Sequence, residues 1–110
     1  MCIRDRSVTW GFDENDRAIA ERKTKGQVRV ITNKKGLVLG ASIVGPLAGE
    51  LISVWGLAIT SKQKIGAIAA MIVPYPTLAE VNKRAASSFF TKKLFSEKTR
   101  KVVKFLKHLA

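Results

Sequence analysis

Hydrophobic and polar positions change rhythm several times along the chain, and each change marks an expected element. Residues 1–7, Met-Cys-Ile-Arg-Asp-Arg-Ser, show no periodicity and read as a disordered or non-native tip. Val8-Thr9-Trp10-Gly11-Phe12 is the first strand-like run. Asp13 to Lys23 is polar apart from Ala18, Ile19 and Ala20, and predicts a turn with a short irregular or helical piece. Two runs rich in β-branched residues follow, Gln27-Val28-Arg29-Val30-Ile31-Thr32 and Leu37 to Val44. Between them, Asn33-Lys34-Lys35-Gly36 has Asn where a type I turn begins and Gly where a left-handed residue closes a bulged hairpin. Gly45-Pro46 stops the second strand.

The rhythm then turns helical. Over Leu47 to Thr60, Leu51, Val54, Trp55 and Ala58 form one stripe and Ile52 and Ile59 lie on another side, so the helix is expected to be buried on more than one face. Lys62 and Lys64 place cations at its negative end. Ile65 to Ile72 predicts a helical turn or two, and Val73-Pro74-Tyr75-Pro76 is non-helical because each proline pushes its predecessor toward extended geometry. Thr77-Leu78-Ala79-Glu80 has the form of a capping box, which starts a helix running to about Phe90. A last helix, Glu97 to Leu109, has Val102, Phe105, Leu106 and Leu109 on one side with Val103 beside them. Lys98, Arg100, Lys101, Lys104 and Lys107 take most of the rest. Its expected state is a solvated cationic face with the apolar side packed on the domain, and the competing state is an interfacial helix on anionic lipid.

Composition sharpens this picture. A chain of 110 residues with 46% hydrophobic content has room for one domain, assigned to residues 8–110. A formal net charge of +12 favours anionic partners, whether nucleic acid, acidic lipid or an acidic protein face. Cys2 is the only cysteine and His108 the only histidine, which excludes an internal disulfide, a cysteine zinc site and Ser-His-Asp or Cys-His catalysis as readings of this sequence; no metal site is expected. Gly36 to Thr60 contains a single charge, Glu50, yet Pro46 and the glycines break it, so a hairpin followed by a helix is expected rather than a membrane span. No Gly-x-Gly-x-x-Gly or Walker loop is present, and Gly36, Gly40, Gly45 and Gly49 are explained by turns. Nothing at the amino terminus resembles a secretory signal, and a cytoplasmic location is the default expectation.

The run from Gly36 to Ile52, Gly-Leu-Val-Leu-Gly-Ala-Ser-Ile-Val-Gly-Pro-Leu-Ala-Gly-Glu-Leu-Ile, resembles the interface domain of the flavin-dependent pyridine nucleotide–disulfide oxidoreductases. Asp16-Arg17-Ala18 upstream, and Met71 to Glu80 and Asn82-Lys83-Arg84-Ala85-Ala86 downstream, extend the resemblance in the family's order and spacing. It implies an α+β fold, an antiparallel sheet with flanking helices, here truncated at its N-terminal edge. It also implies a homodimerisation domain whose Pro-Thr loop enters the partner subunit's active site, in a parent that uses FAD and NAD(P)H supplied by other domains. In the family a His before Pro-Thr and a Glu shortly after serve as acid and base. The matching positions here are Tyr75, a departure, and Glu80. A phenol, with its pKa near ~10, is a poor proton shuttle at neutral pH. Tyrosine at this position resembles the mercuric-reductase branch, where it would donate a hydrogen bond or contact a metal ion or thiolate.

Both residues also have purely structural readings, Glu80 as the capping acid and Tyr75 as a packed loop aromatic. Leu51, Val54, Trp55, Ala58, Ile72, Val73, Pro74 and Pro76 are the dimer-interface candidates. The chain alone is not expected to catalyse redox chemistry or to bind a cofactor. The alternative from another class is a free-standing basic module for anionic membrane or nucleic acid.

Overall fold

The computed structural model describes residues 5–94 and 97–109, with side chains at 5–91 and 101–109. Strands β1 (Arg6–Gly11), β2 (Gln27–Thr32) and β3 (Val38–Val44) form an antiparallel sheet in the order β1-β2-β3. A 3-10 turn (Phe12–Glu14) and helix α1 (Asp16–Ala20) join β1 to β2. Helices α2 (Ala48–Leu51), α3 (Ser53–Thr60), α4 (Ile65–Ala69), α5 (Glu80–Leu94) and α6 (Glu97–Leu109) follow. The expected α+β class is the one observed. The first strand begins earlier than its apolar run suggested, because Arg6 and Ser7 pair with Thr32 and Ile31. The rest of the expected tip, 1–4, lies outside the described residues, Cys2 included.

The hairpin turns on Asn33. Its side-chain oxygen accepts from the amides of Lys35 (2.9 Å) and Leu37 (3.0 Å), and Gly36 takes the positive φ of 86° that the closure needs. The register slips once. Ile31 faces Gly40 and Thr32 faces Val38, which leaves Leu39 as an extra residue on β3. Strict alternation would group Leu39 with Ala41 and Ile43. The bulge turns Leu39 outward and puts Val38 inside instead, 3% exposed.

One face of the sheet carries Val8, Val28, Val30 and Val38 into the core, where α5 and α3 cover it. Helix α5 contributes Val81, Asn82, Ala85, Ala86 and Phe89, spaced as one face of a 3.6-residue period. The expected single helix over 47–60 is two segments meeting at Ile52. The cause is a side chain entering the ladder. Asn82 Nδ2 donates to the Leu51 carbonyl at 2.9 Å, and the Trp55 amide bonds Ile52 O at 3.1 Å instead. Asn82 Oδ1 in turn accepts from Trp55 Nε1 at 2.8 Å. One amide clips two segments together.

Other expectations change as well. The helix at 48–60 is buried along a single stripe, Leu51, Trp55 and Ala58, while Leu57 and Ile59 are exposed. The capping box is replaced by a different turn: the Thr77 hydroxyl donates to Pro74 O at 2.7 Å, and the first bonds run from Val81 N–H to Leu78 O and from Asn82 N–H to Ala79 O. Helix α6 has the expected bounds, but its apolar side does not pack on the domain, since all of 101–109 is exposed. No helix among the described residues is long and apolar enough to cross a membrane.

Candidate functional site

The segment 72–77 projects from the fold between α4 and α5, and its residues explain why. Pro74 and Pro76 deny the backbone a helix, and the Tyr75–Pro76 bond is cis. Ile72 is 95% exposed and Tyr75 68%, with Pro74 and Pro76 also on the surface and Val73 half-buried. An isoleucine and a tyrosine this open on one short loop form an apolar protrusion, a form that suits insertion into a partner.

The loop is fastened at its base to a segment about sixty residues earlier in the chain. Asn15, 3% exposed, caps α1 by accepting from the Ala18 amide at 2.9 Å and donates from Nδ2 to the Thr77 carbonyl at 3.1 Å. Next to it the Tyr75 hydroxyl donates to Asp16 Oδ2 at 2.7 Å. That hydrogen bond is the main reason the Tyr75 phenol titrates above its usual range; the Asp16 charge, slight desolvation and the charge of Glu80 push the same way. Tyr75 and Glu80 are thus brought within electrostatic reach of one another. Asp16 joins them, although nothing in the local sequence links position 16 to the loop. Its only signal was its place in the Asp16-Arg17-Ala18 run.

Chemically, the phenol stays protonated through the neutral range and is a donor already committed to a carboxylate. It can orient an acceptor or a thiolate after letting go of Asp16, but it does not abstract protons. Because Tyr75 is the only tyrosine, absorbance at the phenolate band reads this group alone. Its midpoint is expected above ~10 in the folded chain and back near ~10 in Asp16→Asn. Titration that is identical in both proteins would remove Asp16 from the site. The linkage has a definite sign. A raised folded value means that the contribution to stability is complete below the unfolded pKa and fades as pH climbs through the folded one.

The other site candidates separate. Trp55 (0% exposed), Ala58 (2%) and Leu51 (8%) are core residues of the chain itself, so they are unavailable as contact surface. Their stripe is the face of α2 and α3 that closes on the sheet and on α5. Val54 is half-buried against the core, while Leu57, which lies off the apolar stripe, is 66% exposed on α3. The strands lead into a 3-10 turn, a hairpin and, after Gly45-Pro46-Leu47, the four-residue helix α2, without the Gly-x-Gly-x-x-Gly run of a dinucleotide fold. Among the described residues no group of three or more acidic, histidine or cysteine side chains gathers to hold a metal.

Comparison with known proteins agrees with this architecture. The pyridine nucleotide-disulphide oxidoreductase dimerisation domain matches residues 5–86, so the match begins within the 1–7 segment expected to be a disordered or non-native tip. Dihydrolipoyl dehydrogenase of Geobacillus stearothermophilus is 38% identical over 76 residues, which is 68% of this chain and 16% of that protein. Mercuric reductase of Serratia marcescens is 36% identical over 88 residues, 79% of this chain and 19% of that protein. The crystal structure of LpdA from Mycobacterium tuberculosis superposes with a TM-score of 0.73 at 26% identity, covering 77% of this chain and 19% of the other. The flavoprotein disulfide reductase RclA from Escherichia coli shares the fold, with a TM-score of 0.74 at 21% identity over 78% of this chain and 20% of its own. The chain spans less than a fifth of the length of these curated relatives. The projecting loop, the sheet with its helical cover and the matched run from Asp5 to Ala86 place the chain in the pyridine nucleotide-disulphide oxidoreductase dimerisation-domain family.

Proposed function

We propose that this chain pairs two copies of a FAD- and NAD(P)H-dependent oxidoreductase and that its 72–77 loop completes the active site of the partner subunit. Flavin, nicotinamide and the redox-active groups belong to other domains of the parent, which acts in the cytoplasm. In this reading Tyr75 is the donor presented to the partner's reacting groups and Glu80 supplies negative charge behind it. Asp16 and Asn15 are positioning residues that hold the loop in its projecting form. Ile72, Val73, Pro74 and Pro76 form the contact edge. The observation that carries the reading is the 68% exposure of a Tyr75 whose hydroxyl nevertheless donates at 2.7 Å to the Asp16 carboxylate. A merely packed loop aromatic would have its ring covered.

Sedimentation of the chain over a range of concentrations tests the pairing. Self-association is expected, weakened at least about tenfold by Ile72→Asp, which costs a buried charge. A monomer at every concentration would overturn it. In the intact flavoprotein, Tyr75→Phe is expected to lower turnover on the order of 100-fold with the dimer unchanged. Mixed dimers that pair this variant with a subunit defective in its own redox centre distinguish service to the partner from service within one subunit.

A further inference from the structure

Helix α6 lies beyond residues 5–86, the part shared with the family, and the dimerisation reading makes no use of it. At about 100° per residue, Val102, Phe105, Leu106 and Leu109 fall within a sector of about 100°. Lys101, Lys104, Lys107 and His108 fall within a sector of about 120° on the opposite side. The apolar sector is bare: Val102 is 54% exposed, Phe105 64%, Leu106 57% and Leu109 70%. Five large apolar side chains, counting Val103 at 51%, thus stand in water on one short helix of a chain carrying +12.

We propose that α6 is an interfacial anchor that lies in the plane of an anionic bilayer surface. Its apolar sector would sink into the boundary between headgroups and acyl chains, with its lysines reaching out to lipid phosphates. Charge complementarity selects the lipid. Over residues 101–109 the cationic sector lies across the helix from the apolar one, as a surface helix requires, and the cytoplasmic leaflet is the negatively charged one. The same arrangement disfavours other occupants. A second α6 seated on the stripe would leave the lysine sector, on the far side of the helix, without an anionic partner, and a nucleic acid would leave the apolar sector in water. The proposal is independent of the dimerisation reading, since the residues it uses lie outside the loop and the core.

The test is co-sedimentation of the full chain with vesicles of phosphatidylglycerol and phosphatidylcholine, or of phosphatidylcholine alone, at about 0.1 M salt. Partition into the anionic vesicles is expected to be at least about tenfold stronger than into neutral ones. Phe105→Gln/Leu106→Gln, which preserves charge and touches only exposed positions, is expected to reduce it at least about tenfold. Lys101→Gln/Lys104→Gln/Lys107→Gln is expected to reduce it on the order of 100-fold, at about fivefold for each cation. Unchanged binding in the apolar double variant would overturn the proposal in favour of diffuse attraction to a basic chain. Equal binding to both vesicle types would overturn it too. So would a change of sedimentation coefficient in the double variant without lipid, since a second copy would then be what covers the stripe.

Discussion

Gly26→Ala is expected to cost the domain much of its stability. Gly26 sits at φ 119°, outside the regions open to residues with a Cβ, where alanine alone costs about 1–3 kcal/mol. The added methyl would also overlap the Val44 carbonyl oxygen and come within 2.8 Å of Val44 C and 2.9 Å of Gly45 Cα. These are backbone atoms at the end of β3, paired opposite Gln27, so they cannot rotate away. The same residue accepts the Phe12 amide at 3.2 Å, tying the 3-10 turn to the entry of β2. Gly26 is therefore the point where three segments are stitched. Strain and overlap together are expected to remove on the order of 4 kcal/mol, much of the stability of a small domain. Chemical denaturation followed by circular dichroism should show a midpoint about 2 M lower in urea, or no cooperative transition. Gly40→Ala serves as the comparison. A Cβ there meets nothing within 4 Å, and its midpoint is expected to rise or hold. If the two alanine variants unfolded alike, the backbone account would be wrong.

The second large effect is expected at Asn82. Asn82→Leu keeps the number and branching of side-chain heavy atoms but removes the amide, leaving the Trp55 indole N–H and the Leu51 carbonyl unpaired in a site 2% exposed or less at Asn82 and Trp55. Each unmade bond to a buried group costs about 1–3 kcal/mol, giving roughly 2–6 kcal/mol in all. Trp55→Phe leaves only the Asn82 oxygen without its donor and should lose less. Trp10→Phe provides a contrast. The Trp10 indole nitrogen is buried with no partner, so phenylalanine removes an unmet donor and is expected to change stability by no more than about 1 kcal/mol. Equal losses for Trp10→Phe and Trp55→Phe would show that indole packing, and not the Asn82 clip, carries the energy.

How much of this was legible in the sequence depends on how far apart the cooperating residues lie. The 27–44 hairpin could be read because its determinants, Asn33 and Gly36, act within a single turn. The two-segment helix at 48–60 could not, because what breaks it is a side chain 31 positions away from Leu51. The apolar stripe of that helix is visible in the periodicity, but a face that meets the chain's own sheet has the same pattern as one that meets another subunit. Leu51, Trp55 and Ala58 consequently changed from interface candidates to core. The capping pattern at Thr77–Glu80 failed for a related reason: the Thr77 hydroxyl has a nearer acceptor in Pro74 O, made available by the turn that the prolines impose. At the site, Tyr75 and Glu80 came from the resemblance, whereas Asp16 and Asn15 emerged only once the loop was seen resting on α1.

The slip at Leu39 bears on how this sheet can vary in length over descent. Elsewhere in the ladder, losing or gaining one residue would invert every later side chain and push valines into water. Deleting position 39 alone would bring Val38 and Gly40 side by side opposite Thr32 and Ile31, with all other pairings retained. Single-residue gaps in related chains are therefore expected to gather at this one place, and a solvent-facing leucine is all that is lost when they do.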